Sequence, residues 1–189
     1  MKVCVVIPAY NEQFVIAHVV SDAQKNIKSA EVVVVNDKST DNTSKKASKA
    51  TIIDHIINQG AGGATSTGLR YAKLQNADWV ITMDGDGQHD ARDALSCLKN
   101  AQKTKSDLVI GSRLVDPKGM SKLKILGNKG LTFITWLLFG VRVTDSQSGL
   151  RVFSKKAIET LEWQSTGYDF CSEMIWRAKQ SKLKITEYP

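Results

Sequence analysis

The chain has 189 residues, 42% of them hydrophobic and 24% charged, with 13 Gly and only 3 Pro. That is the composition of one globular domain with a real core, and it excludes disordered, collagen-like and low-complexity chains. The formal charge is +7 and it is uneven: residues 99–189 hold 16 Lys and Arg against 8 Asp and Glu, whereas residues 1–98 hold 10 against 11. An anionic partner on the second half, or a plain solvated lysine surface, would each account for the excess. Cys4, Cys97 and Cys171 are odd in number, far apart and without zinc spacing. They exclude a disulfide framework and point to a reducing, cytoplasmic setting.

Short β-branched runs alternate with helical spacing along the chain. Strands are predicted at Lys2–Ile7, Glu31–Asn36, Thr51–Ile57, Trp79–Met83 and Leu108–Gly111. Helices are predicted at Glu12–Ile27, Asp41–Ala50, Gly62–Gln75 and Asp90–Lys103, two of them preceded by capping residues (Ser39 to Asp41, and Asp90). Met1 to Ile7 is apolar but stopped by Pro8, which is too short for a signal peptide. After residue 112 the pattern changes to a loop, an apolar helix over Leu123–Val143, glycine-containing turns and an amphipathic helix near Asp169–Gln180. The charge-free stretch Gly130–Val141 falls short of the roughly 20 residues of a membrane span. With Lys122, Lys124, Lys129 and Arg142 around it, the 123–143 helix suits a membrane surface or a core.

Strand and helix in alternation predict an α/β fold, a mostly parallel sheet with helices on both faces and one domain over residues 1–189. Ligands of such sheets bind beyond the carboxyl ends of the strands. Pro8-Ala9-Tyr10-Asn11-Glu12 follows the first strand, Asp37 to Thr43 the second, Asp84-Gly85-Asp86-Gly87-Gln88-His89 the fourth, and Ser112-Arg113 the fifth. Two carboxylates on a glycine-loosened turn suit a hard divalent cation, and Gln88 and His89 could assist, although a bare Asp-Gly turn has the same sequence. Asp37 could accept hydrogen bonds from a base or ribose, or close an Asx-turn with Ser39 and Asp41. Gly60-Ala61-Gly62-Gly63 lacks the third small residue of a dinucleotide fingerprint, because Thr65 stands there, so it is expected to open a helix near the ligand. Arg113 and Arg151 are suited to phosphate, or are ordinary charges.

Taken in order, Pro-Ala-Tyr-Asn-Glu, Val-Val-Asn-Asp-Lys-Ser-Thr-Asp-Asn-Thr and Asp-Gly-Asp-Gly-Gln-His resemble the family 2 glycosyltransferases of GT-A fold. Gly111-Ser112-Arg113, Asp145 to Arg151 and Gly167 to Glu173 look like its polyprenyl-phosphate branch, which includes dolichyl-phosphate mannose and glucose synthases. The resemblance implies an inverting hexosyltransferase with a nucleotide-diphosphate-sugar donor (GDP-mannose or a UDP-sugar) and a lipid-phosphate acceptor, working peripherally at the cytoplasmic face of a membrane. It implies that Pro8, Ala9, Tyr10, Glu12 and Asp37 hold the nucleoside and that Asp84 sits beside the ribose or sugar. Asp86 and Gln88 would hold magnesium or manganese on the diphosphate. Arg113 and Arg151, helped by Ser112, would contact phosphates, and Glu173 would lie near the sugar or acceptor.

The chain departs from that pattern at several places. Asn36 stands where Asp is usual, Lys38 where Gly is common, Ala61 where many members carry Lys, and Leu150 where Phe is common. It ends at Glu187-Tyr188-Pro189 where relatives continue, so a truncated C-terminal part, such as a membrane anchor, is expected.

A lipid phosphate has a second pKa of about 6, so it needs no general base at neutral pH. A saccharide hydroxyl acceptor would need one, and Asp145 is the candidate. A sugar-nucleotide-binding or nucleotidyl-transferring protein could use the same acidic pair. A nucleic-acid binder is excluded for want of aromatic interleaving or any known motif.

Overall fold

The computed structural model describes residues 1–112, 143 and 145–189. The expected helix over 123–143 (Val143 apart), its flanking lysines and Arg113 lie outside the described residues. The elements in chain order are β1 (Val3–Ala9), α1 (Ile16–Asn26), β2 (Ala30–Asn36), α2 (Thr43–Lys46), β3 (Thr51–Asp54), α3 (Gly60–Leu74) and β4 (Trp79–Thr82). Then follow α4 (Ala91–Thr104), β5 (Leu108–Gly111), β6 (Arg151–Ser154), α5 (Lys155–Thr160), α6 (Phe170–Gln180) and β7 (Ile185–Tyr188).

Seven strands form one sheet in the order β3-β2-β1-β4-β6-β5-β7. β1 pairs in parallel with β2 and β4, β2 with β3, and β5 with β7. The exception is β6, antiparallel to both β4 and β5. The sheet is therefore mostly parallel, as the strand-helix alternation predicted.

Alternating side chains of the central strands feed two cores. Val3, Val5, Ile7, Val32, Val34 and Val152 pack under α1 and α4, and Cys4, Val6, Val33, Val35 and Phe153 pack under α3, α5 and α6. Burial on both faces explains why Val32 to Val35 is continuously apolar. Burial also pushes the Cys4 and Cys97 thiols up to about 12, so these cysteines act as small inert hydrophobes. α3 lies close on β1 because residue 68 is glycine: a Cβ there would sit 2.1 Å from Val6 Cγ1.

The ends of several elements differ from the expected ones for local reasons. α1 starts at Ile16, not Glu12, because the Glu12 carbonyl accepts the Val15 and Ile16 amides in a preceding turn. α2 spans only Thr43–Lys46, in a segment rich in Ser, Thr and Asn that favours local side-chain hydrogen bonds. β3 stops at Asp54 because His55 turns inward, which leaves Ile56 and Ile57 exposed. α4 begins at the expected cap, with the Asp90 side chain accepting the Arg92 amide.

Asn36 has a partner that accounts for its departure from the usual acid. Its Nδ2 donates to Asp54 Oδ1 at 2.7 Å across the β2–β3 register. Asn36→Asp would set two carboxylates face to face. The variant should lose about 1–3 kcal/mol at pH 7, where both are charged. A carboxyl raised by such a neighbour binds its proton more tightly in the folded state, so the loss should fade as pH falls through the carboxylate range. Urea melts at pH 7 and pH 4 measure this, and an equal loss at both would mean that repulsion is not the cause.

Candidate active site

The strand ends expected to carry the chemistry meet at one edge of the sheet. Asp37 N donates to the Ala9 carbonyl at 2.9 Å, which ties the β2 exit to the β1 exit. Gly85 brings the β4 exit onto the same place, since a Cβ there would lie 2.9 Å from Pro8 O and 3.2 Å from Ala9 Cβ. The next loop closes with Asn11 N donating to Ser39 Oγ, Glu12 N to Thr43 Oγ1 and Gln13 N to Asp41. Asn11 and Lys38 both take left-handed backbone, with φ of 59° and 62°. The commoner glycine at position 38 thus corresponds to a conformation that Lys38 adopts at some strain.

Asp84, Asp86 and Glu12 share this edge. The Glu12 carboxyl is pushed above the ordinary glutamate range, first by burial and then by the negative charges of Asp86, Asp41 and Asp84. Such a field marks a place where a cation is favoured. Asp86 is exposed, and its Oδ1 accepts the Gln88 amide at 2.9 Å across a turn whose Gly87 has φ +77°. Asp84 Oδ2 lies 3.1 Å from His89 Nε2.

Among the described residues no group of three or more His, Cys, Asp and Glu side chains could hold a metal by itself. A magnesium-type ion needs only one or two carboxylates when substrate phosphates and waters complete its shell. The exposed hard-oxygen donors of this acidic edge fit that kind of ion.

Asp84 also rests on the 145–149 segment. A Cβ at Gly149 would sit 2.1 Å from both Asp84 carboxylate oxygens, and Thr82 Oγ1 donates to the Gly149 carbonyl at 2.9 Å. The sequence motifs Asp84-Gly85-Asp86 and Asp145 to Arg151 thus form one structure, held by the antiparallel β4–β6 pairing. Asp145 is fully buried. Arg151 is 1% exposed, donates to the Ser146 carbonyl at 3.1 Å and stacks 5.2 Å over the Phe170 ring. In these positions Asp145 and Arg151 face the interior beside the edge. Ser112 is buried at the β5 exit, its amide donating to Tyr188 O.

The expected nucleoside residues divide by exposure. Tyr10 is exposed and Pro8 half-buried, whereas Ala9 is buried. Asp37 is 3% exposed, and its Oδ1 faces His55 Nδ1 at 2.7 Å and accepts the Gln59 amide at 2.8 Å. His55 was not singled out in the sequence. Its only signal there is a histidine inside the predicted strand Thr51–Ile57, 18 residues from its partner.

Glu173 is held within its own neighbourhood. Its carboxylate takes the Gln164 and Ser165 amides and the Arg177 guanidinium. Burial opposes ionisation there, but these hydrogen bonds outweigh it and hold the carboxyl below the usual range. The glycines at the start of α3 admit the same segment: Gly62 N donates to Thr166 O at 2.7 Å, and a Cβ at Gly62 would sit 2.4 Å from Ser165 O. They open a helix as expected, and the close approach they allow is that of residues 165–166. A cavity of about 480 Å³ at the opposite end of the sheet, between Trp79, Lys105 and Lys156, contains none of the residues singled out above.

Comparison with known proteins shows the family and the fold. The model of the family described as Glycosyl transferase family 2 matches residues 4–162. The UDP-N-acetylglucosamine--dolichyl-phosphate N-acetylglucosaminyltransferase of Methanococcus voltae is 40% identical over 97% of this chain and 82% of its own length. The undecaprenyl-phosphate mannosyltransferase of Micrococcus luteus is 30% identical over 100% of this chain and 82% of its own. Among solved structures, the glucosyl-3-phosphoglycerate synthase of Mycobacterium tuberculosis, in complex with Mn2+, UDP and glucosyl-3-phosphoglycerate, superposes with a TM-score of 0.72. It shares 19% identity over 98% of this chain and 68% of that one, a likeness of fold.

Proposed function

Because the chain belongs to glycosyl transferase family 2, we propose that it moves a hexosyl group from a nucleotide-diphosphate sugar to a polyprenyl or dolichyl phosphate, with inversion. The observation that carries this reading is the meeting of the Pro8–Glu12 loop, Asp37 and the Asp84–Gln88 turn at one carboxyl edge under a shared negative field. The lipid-phosphate acceptor is supported by the relatives named for it at 40% and 30% identity. A UDP-sugar is our first choice of donor, ahead of GDP-mannose, because the more similar of those two relatives is named for one.

Pro8, Tyr10 and Asp37 would take the nucleoside, with Ala9 shaping the floor beneath Gly85 and Glu12 completing the loop. Asp84 would face the ribose or sugar. Asp86 and Gln88 would hold magnesium or manganese against the diphosphate, and when bound such an ion neutralises charge on the departing nucleoside diphosphate. Ser112 and Arg113 would bind phosphate at the β5 exit. Arg151 would brace the 145–149 segment that supports Asp84, and Glu173 would brace the 164–165 segment beside α3.

The acceptor phosphate is itself the nucleophile. Its second pKa of about 6 leaves it ionised at neutral pH, so the protein need only position it and exclude competing water. The full burial of Asp145 supports this over a hydroxyl acceptor, which would need a base in contact with it.

The acceptor also implies binding at the cytoplasmic face of a membrane. Phe14, Ile56, Ile57 and Tyr168, all exposed on loops of this edge, support such an approach. Among the described residues no helix is long and apolar enough to cross a membrane.

The test is transfer from radiolabelled UDP-N-acetylglucosamine, UDP-glucose and GDP-mannose to dolichyl phosphate or to a saccharide, with added magnesium or manganese and with chelator. The expected result is labelled lipid phosphate from one donor, at a rate that stays flat above about pH 7. Transfer to the saccharide alone, with a rate that climbs through a separate base, would overturn it.

A further inference from the structure

His55 is buried to 8% exposure between β3 and α3, and neither the motifs nor the chemistry above uses it. Its two ring nitrogens are both engaged. A carboxylate only accepts, so Nδ1 donates to Asp37 Oδ1 at 2.7 Å. Nε2 pairs with the Thr67 hydroxyl at 2.9 Å, and a hydroxyl can either donate to it or accept from it. Among the described residues every hydrogen bond to the Asp37 carboxylate ends on Oδ1, from the His55 ring and the Gln59 amide, and Oδ2 takes none.

We propose that His55, held by Thr67, is a positioning residue that locks the Asp37 carboxylate so that Oδ2 is presented in one direction to a nucleoside N–H or hydroxyl donor. This rests on the reading of Asp37 as a nucleoside contact. An aspartate side chain free to turn about χ2 would lose conformational freedom when a ligand binds. Two donors at 2.7 and 2.8 Å on one oxygen remove that freedom in the folded chain instead. The anchor is firm because Thr67 belongs to α3, which Gly68 seats against β1. His55 N also donates to the Asn36 carbonyl at 2.9 Å, which fixes the residue beside the β2 exit. The triad thus links β2, β3 and α3 at the point where the nucleoside would lie.

The experiment measures the Kd of UDP and of GDP by calorimetry, with magnesium present, for the wild type and four variants. Asp37→Asn tests the underlying reading. His55→Leu removes both ring contacts, and His55→Asn keeps a donor where Nδ1 stood. Thr67→Val removes only the outer hydroxyl in a nearly unchanged volume, so it remains informative if His55→Leu does not fold. His55→Leu should weaken the preferred nucleotide about tenfold and Thr67→Val about threefold, while His55→Asn recovers most of the loss. In donor kinetics the loss should fall on KM with kcat nearly constant, since this contact is made equally in ground and transition states. In an Asp37→Asn background, Thr67→Val should add nothing.

If Asp37→Asn weakens binding but His55→Leu and Thr67→Val lower only the Tm, His55 is a structural residue and the inference is wrong. If Asp37→Asn binds both nucleotides as the wild type does, the nucleoside reading of Asp37 fails, and the role of His55 fails with it.

Discussion

Asp86→Ala is expected to lower turnover by about 10²–10³-fold, the scale of removing one group that stabilises developing charge. Its nucleotide affinity should fall mainly when magnesium or manganese is present. The fold should barely change, because Asp86 is exposed and, among the described residues, its Oδ1 bonds only the Gln88 amide within its own turn. Surface changes of that kind stay within about 0.5 kcal/mol. Asp86→Asn separates the two roles, since an amide oxygen can still accept the Gln88 amide while the charge is gone. It should be as inactive as the alanine variant and melt like the wild type. Sugar transfer at the wild-type rate by either variant would remove Asp86 from the site.

Gly149→Ala should produce a loss of similar size from a residue with no reactive group. The added Cβ would fall 2.1 Å from both oxygens of Asp84, so the carboxylate must swing away from its place beside His89. Asp84 is a short side chain with 42% of its surface exposed, so it can yield toward solvent. The stability cost should therefore stay near the low end of the roughly 1–3 kcal/mol typical of overpacking. The cost in activity should be larger, about 10²-fold, as expected when a site group is misplaced by an ångström. Adding Asp84→Gly to Gly149→Ala should restore the melting temperature and leave activity low. A double variant with no recovery of Tm would show that the strain lies elsewhere.

Much of this fold was legible in the sequence because β1, β2, β4 and β5 are continuous apolar runs whose burial on both faces leaves no other reading. The carboxyl edge followed from them, and so did the positions of Asp37, Asp84 and Asp86. β6 and β7 were not legible. Each has four residues, β6 opens on an arginine, and β6 enters the sheet between β4 and β5 against the prevailing direction. Strand order of that kind is decided by long-range pairing rather than by local pattern. The same limit applies to single residues. Asn36 reads as a lost acid until Asp54 is found opposite it, and His55 has no meaning without Asp37 and Thr67. Arg151 has the chemistry of a phosphate contact, but its place in β6 encloses it beside Phe170. Gly149 looks like a turn residue and is the surface on which Asp84 rests.

The reversed direction of β6 has a consequence for how the molecule can diverge. β5 ends at Gly111 and β6 begins at Arg151 as its antiparallel neighbour, so the chain leaves the sheet and re-enters it at the same edge. The exit of β5 and the entry to β6 are therefore fixed side by side by strand pairing, with Ile110 opposite Arg151. The sequence between Ser112 and Asp145 can thus be exchanged between family members while Asp37, Asp84 and Asp86 stay in register on the other strands. Ser112 and Asp145 are the natural splice points for such chimaeras.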